Sequence, residues 1–81
     1  MKVKTIQIDF DDEDLLVLKW RENRAIHGDN IQLVVSHNTY SLGWWIEPVG
    51  TTAKDKMDLV YSAKVADSYV DGIADRLEEK Q

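Results

Sequence analysis

The sequence predicts an α+β fold: a small single domain over residues 1–81, ordered strand, helix, strand, strand, helix, with the helices packed on one face of an antiparallel sheet. Three observations predict it. Residues 3–10 alternate apolar and polar, as a half-buried strand does. Residues 31–47 read as two strands that share one consistent pairing around Asn38-Thr39. From Leu59 to Leu77 apolar residues recur at the helical period. A chain of 81 residues has room for one core and no second domain.

The first strand carries Ile6, Ile8 and Phe10 on one face and Thr5, Gln7 and Asp9 on the other. The segment Asp11-Asp12-Glu13-Asp14 then opens a helix, with Asp11 or Asp12 as its cap and the other acids in its positive first turn. Lys19, Arg21 and Arg24 fall toward its end, and Gly28 supplies a left-handed stop. Leu15, Leu18 and Ile26 share a face, and Glu22 falls on that face too. A second strand through Leu15–Trp20 is the competing reading; the end signals favour the helix.

A two-residue turn at Asn38-Thr39 joins strands Ile31–His37 and Tyr40–Glu47. Closing it between His37 and Tyr40 pairs Val35 with Leu42, Leu33 with Trp44 and Ile31 with Ile46, all on one apolar face. Trp44 then belongs to the core, and Trp45 stands exposed on the far face beside Val34. The last helix is expected over residues 53–79, opened by the capping-box-like Thr52-Ala53-Lys54-Asp55. Its core face is Leu59, Ala63, Ala66, Val70, Ile73 and Leu77.

The composition narrows the function. With 43% hydrophobic and 31% charged residues the chain belongs to the folded class. Its 15 acids against 10 bases, a net charge of −5, argue against binding nucleic acid directly. The absence of cysteine excludes disulfides, a thiol nucleophile and Cys-based zinc sites. The longest apolar run, Leu15–Leu18, is far short of the roughly 20 residues of a membrane span, and no signal-peptide pattern opens the chain. A cytoplasmic protein without membrane contact is the expectation.

Little in the chain looks catalytic. Asp9, Asp11, Asp12, Glu13 and Asp14 read as a cap and a dipole-matched first turn; a divalent-cation site is the alternative. An EF-hand would need glycine where Asp14 stands and glutamate where Trp20 stands. His27 and His37 have no second ligand at metal spacing, and no serine lies in a nucleophile elbow. No metal, no cofactor and no enzymatic activity are expected. Two surfaces of the last helix stand out instead. Asp67, Asp71 and Asp75 repeat at i,i+4, with Glu78 continuing the row, and like charges at that spacing destabilise a helix. Such a stripe either meets a basic protein partner or simply keeps the chain soluble. Met57, Tyr61, Val65 and Tyr69 form a second, apolar stripe, covered by the first helix or by a second copy in a homodimer. Trp45, Tyr61 and Tyr69 are the aromatic anchors of a partner surface.

The hairpin Ile31–Glu47, the acid-striped Asp55–Glu79 and the cluster Asp9–Asp14 together resemble small acidic phage-encoded inhibitors of bacterial defence, the anti-CRISPR proteins. That resemblance, of architecture and charge, implies a phage-encoded inhibitor acting in the host cytoplasm. It would mask the surface of a basic, nucleic-acid-binding effector such as Cas9, some of these inhibitors doing so by mimicking DNA charge. The alternative is a small homo-oligomeric assembly protein of a phage or bacterium.

Overall fold

The computed structural model of the protein describes residues 3–37, 42–50 and 58–79. The elements are β1 (Ile6–Ile8), α1 (Glu13–His27), β2 (Ile31–Ser36), β3 (Gly43–Pro48), β4 (Leu59–Ser62) and α2 (Ala63–Glu79), with a 3-10 turn, Gly28–Asn30, between α1 and β2. The expected class and element order hold, with one strand more. The sheet runs β1-β3-β2-β4 and every pairing is antiparallel. β1 and β2 therefore point the same way with β3 between them, a split β-α-β arrangement carrying both helices on one face.

α1 begins after Asp12, whose amide donates to the Asp9 carbonyl at 2.9 Å and whose carbonyl accepts from Leu16 at 3.0 Å. Asp12 holds the cap position, but its side chain makes no capping hydrogen bond; Glu13 and Asp14 occupy the first turn. Gly28 ends the helix at φ +59°, its amide returning to the Arg24 carbonyl, a conformation that L side chains rarely adopt. The expected core face of α1 is overturned. Leu18 and Ile26 are 56% and 61% exposed, whereas Leu16 and Trp20 are fully buried. Burying the Leu15–Leu18–Ile26 face would have taken Glu22 with it, and desolvating that carboxylate, which sits exposed beside Lys19, costs more than exposing Leu18 and Ile26.

The hairpin keeps its faces and changes its register. Leu33 lies opposite Ile46, Val35 opposite Trp44 and Ile31 opposite Pro48, a shift of two residues from the expected pairing. An even shift leaves every side chain on its own face, so the alternation cannot distinguish the two registers. Contacts beyond the hairpin choose between them. β1 pairs Ile8 with Trp44 and Ile6 with Ile46, and Phe10 meets the Trp44 ring edge-on at 4.9 Å. Beyond Pro48, the Val49 amide donates to the Asn30 carbonyl at 3.0 Å and lengthens the ladder at its open end. The expected turn at Asn38-Thr39 lies outside the described residues.

The last helix starts at Ala63 rather than residue 53, because Leu59–Ser62 joins the sheet. Leu33 pairs with Tyr61 and Val34 with Val60. The adjacent Val60 and Tyr61 favour a pleated strand, and β2 offers them an open edge. The expected capping box at 52–55 lies outside the described residues. From Ala63 onward the core face is as expected: Ala63, Ala66, Val70 and Ile73 are buried, Leu77 packs against them, and Ala74 joins them. They close over Ile8, Ile31, Leu33, Val35, Trp44 and Ile46 of the sheet, with Leu16 and Trp20 completing the core.

Gly43 sits where β3 passes closest to β1. Its φ is +147°, and a Cβ there would collide with the Ile8 carbonyl oxygen, which is backbone and cannot swing aside. Gly43→Ala should therefore destabilise the fold by about 1–3 kcal/mol. Urea denaturation checks this, and wild-type stability in the variant would mean that β1 is not held at this spacing.

Candidate functional site

The acidic stripe of α2 acquires its counter-charges from α1. Asp67 is the centre of the contact. The Trp20 Nε1–H donates to its Oδ1 at 2.9 Å, and the Arg24 Nε–H donates to both oxygens at 3.1 and 3.0 Å. Arg24 also reaches Asp29 at 3.0 Å through Nη1. Hydrogen bonding to Asp67 raises the Arg24 pKa above its ordinary value, against the opposing effect of burial. Arginine is protonated in proteins in any case, so the pair with Asp67 is a full ion pair. One turn along, Arg21 pairs with Asp71 at 3.2 Å, both side chains more than half exposed. At the far end Arg76 of α2 pairs with Glu13 of α1. The order Arg24–Asp67, Arg21–Asp71, Glu13–Arg76 makes the two helices antiparallel neighbours.

This antiparallel pairing has an electrostatic result. The last turn of α2 lies beside the first turn of α1, so two acidic runs far apart in sequence meet at one end of the helix layer. Asp9, Asp11, Asp12 and Asp14 are exposed there, as are Asp75, Glu78 and Glu79, with Glu13 half-buried among them. At this end Arg76 pairs with Glu13, and His37 lies against Phe10 between Asp9 and Asp11. Acids at the start of α1 are stabilised by its helix dipole, whereas Glu78 and Glu79 oppose the dipole of α2. The first turn of α2 holds no acid, and Lys64 lies in it. Glu78 and Glu79 thus run against the direction that helix stability favours, while Arg76 in the same turn follows it. No group of three or more His, Asp or Glu among the described residues is placed to hold a metal ion.

The other expected site residues lie apart. Asp75 and Glu78 are exposed at the acidic end; Asp67 is half-buried and engaged within the fold. Tyr61 is on β4, not on a helical stripe, and its ring stacks on that of Tyr69 with centroids 5.3 Å apart. The Tyr69 hydroxyl accepts from Trp44 Nε1 at 3.0 Å. Both tyrosines are half-buried, joined to each other and to the core. Trp45 is half-buried rather than exposed, on a far face where Val34, Gln32 and Glu47 are buried and Gln32 Nε2 donates to Glu47 Oε1 at 3.3 Å. Val65 is exposed on α2, and Met57 lies outside the described residues.

Arg21 and Arg24 are the residues that sequence reasoning did not connect to the stripe. Their spacing of three, set against Asp67 and Asp71 at four, is what an antiparallel helix pair needs, and that match was the available signal. No family model matches the chain, no curated protein matches it, and no solved structure matches it. Among the described residues no helix is long and apolar enough to cross a membrane.

The Asp67 contact and the Asp71 contact should differ in worth. Asp67→Ala strands the indole N–H of fully buried Trp20 and one face of Arg24, for a loss of about 1–2 kcal/mol given the partial exposure of the carboxylate. Asp71→Ala removes a pair exposed on both sides and should cost about 0–1 kcal/mol. Equal losses in thermal denaturation would show that Trp20 does not depend on its acceptor.

Proposed function

We propose that the protein is a non-enzymatic acidic binding protein that masks the surface of a basic, nucleic-acid-binding protein partner, in the manner of the anti-CRISPR inhibitors it resembles. The observation that supports this reading is the acidic end of the helix layer. Seven exposed carboxylates from two separate segments, Asp9, Asp11, Asp12, Asp14, Asp75, Glu78 and Glu79, are collected there. Those at the end of α2 stand against its dipole, so fold stability does not explain them. A dense field of one sign attracts a cationic surface from a distance and can displace a nucleic-acid backbone from it. The contact envisaged extends from this end along Asp71, while Asp67 positions the helices beneath it.

The reading predicts opposite effects of one variant on stability and on binding. Glu78→Lys with Glu79→Lys should raise stability by about 0.3–1 kcal/mol, because the new cations suit the end of the helix. The same variant should weaken association with a basic partner at least about tenfold, a loss of about 1.4 kcal/mol. Titration calorimetry against Cas9 and a panel of DNA-binding proteins, with duplex DNA as competitor, measures the second effect. Affinity unchanged by the charge reversal, or by raising salt from about 0.05 to 0.5 M, would eliminate electrostatic masking.

A further inference from the structure

We infer that β4 is a self-association edge, and that two copies of the chain join through it as an antiparallel, two-fold symmetric pair of β4 strands. The inference goes beyond the masking function and uses a different surface. Among the described residues the outer side of β4 pairs with no strand. An open edge offers backbone amides and carbonyls to any extended chain, and folded proteins usually defend such edges with charge, proline or a bulge. The opposite edge, β1, is only three residues long and exposes only Gln7, between half-buried Ile6 and buried Ile8. β4 reads Leu-Val-Tyr-Ser without a charge, and Leu59 and Val60 are 49% and 44% exposed on its two faces.

The occupant is argued from self-complementarity. Paired residues of antiparallel strands share a face, so a two-fold axis normal to the sheet must pass through one residue position. Placed at Val60, it sets Val60 against its own copy on the far face. Leu59 then lies against the partner's Tyr61 on the helix face, where Tyr61 already stacks on Tyr69. Asp58 falls opposite the partner's Ser62, beside the partner's Lys64. One oxygen of the Asp58 carboxylate, Oδ1, has no hydrogen-bond partner among the described residues, and exposed Lys64 is the nearest described cation along the chain. Two symmetric Asp58–Lys64 pairs result. The same axis makes the two α2 helices antiparallel, which sends their acidic ends to opposite ends of the dimer and keeps like charges apart. Pairing β4 with β1 of another copy would lack that closure and build an open chain of molecules.

Two four-residue strands with their flanking side chains form a small interface, so the dimer is expected to be weak, on the order of tens of micromolar. Sedimentation velocity of the full chain from about 1 µM to 1 mM should show a monomer passing to a dimer and no larger species. A monomer throughout overturns the proposal, as does open-ended assembly. Val60→Lys should remove the dimer; a dimer that persists lies elsewhere and overturns it too. Asp58→Lys alone should weaken association about tenfold, and Asp58→Lys with Lys64→Asp should restore it; failure of the restored pair counts against the register. The chain has no cysteine, so Val60→Cys introduces a single thiol on the axis, where facing Cβ atoms at about 4.5–5.5 Å approach the spacing that a disulfide bridges. On mild oxidation it should cross-link much faster than Leu18→Cys on the exposed face of α1. Equal rates overturn the proposal.

Discussion

The fold turns on one carboxylate. Trp20 is the largest fully buried side chain, and its ring carries an N–H that the core cannot satisfy. Asp67 takes that hydrogen at 2.9 Å and at the same time grips Arg24 through both oxygens. The contact brings a tryptophan into the core without an orphan donor and holds an arginine at the rim of the core. It also fixes how α1 and α2 slide past each other. With Asp67 set against Trp20 and Arg24, Arg21 faces Asp71 one turn away and Glu13 faces Arg76 at the end. The outer pairs are exposed and individually weak. The register they share depends on the half-buried one.

That register determines the electrostatic shape of the protein. A sheet with two helices on one face could carry them parallel or antiparallel, and only the antiparallel arrangement places the start of α1 beside the end of α2. The chain's net charge of −5 is modest when spread over a whole surface. Concentrated at one end, with Arg21, Arg24 and Lys64 lying elsewhere, it becomes a directional field. The helix dipoles sharpen the contrast between the two acidic segments, since one is stabilised by its position and the other is not. Carboxylates that reduce helix stability while remaining exposed are the ones whose presence folding leaves unexplained.

Much of this was legible in the sequence, and the failures have physical causes. Periodicity identified β1, the faces of the hairpin and the inner face of α2 from Ala63 onward, because burial on one side writes itself into the spacing of apolar residues. It could not fix the hairpin register, since a shift of two preserves every face and the choice lies with Ile8, Phe10 and Gly43. It missed β4 because Leu59 continues the helical spacing of Ala63 and Ala66 across a junction with no intervening loop. It chose the wrong face of α1 because three aliphatic residues outnumber Leu16 and Trp20, although the indole needs the deeper place. The acidic row was visible, but its partners were not connected to it, since the matching spacing of Arg21 and Arg24 becomes a signal only once the two helices are set side by side.

The two surfaces proposed here act through different physics, and that difference makes them separable. The acidic end acts over a Debye length, about 8 Å at physiological ionic strength, and its attraction fades as salt rises. The β4 edge acts by backbone hydrogen bonds and apolar contact at short range, with ion pairs only at its margins, so added salt leaves most of it in place. α2 links them, beginning at the edge strand and ending among the carboxylates, about 25 Å apart for its 17 residues. A dimer formed at the edge would present two acidic ends facing away from each other, and a partner with two basic sites would then be held by both. Self-association would in that way strengthen the masking contact without adding a residue to it.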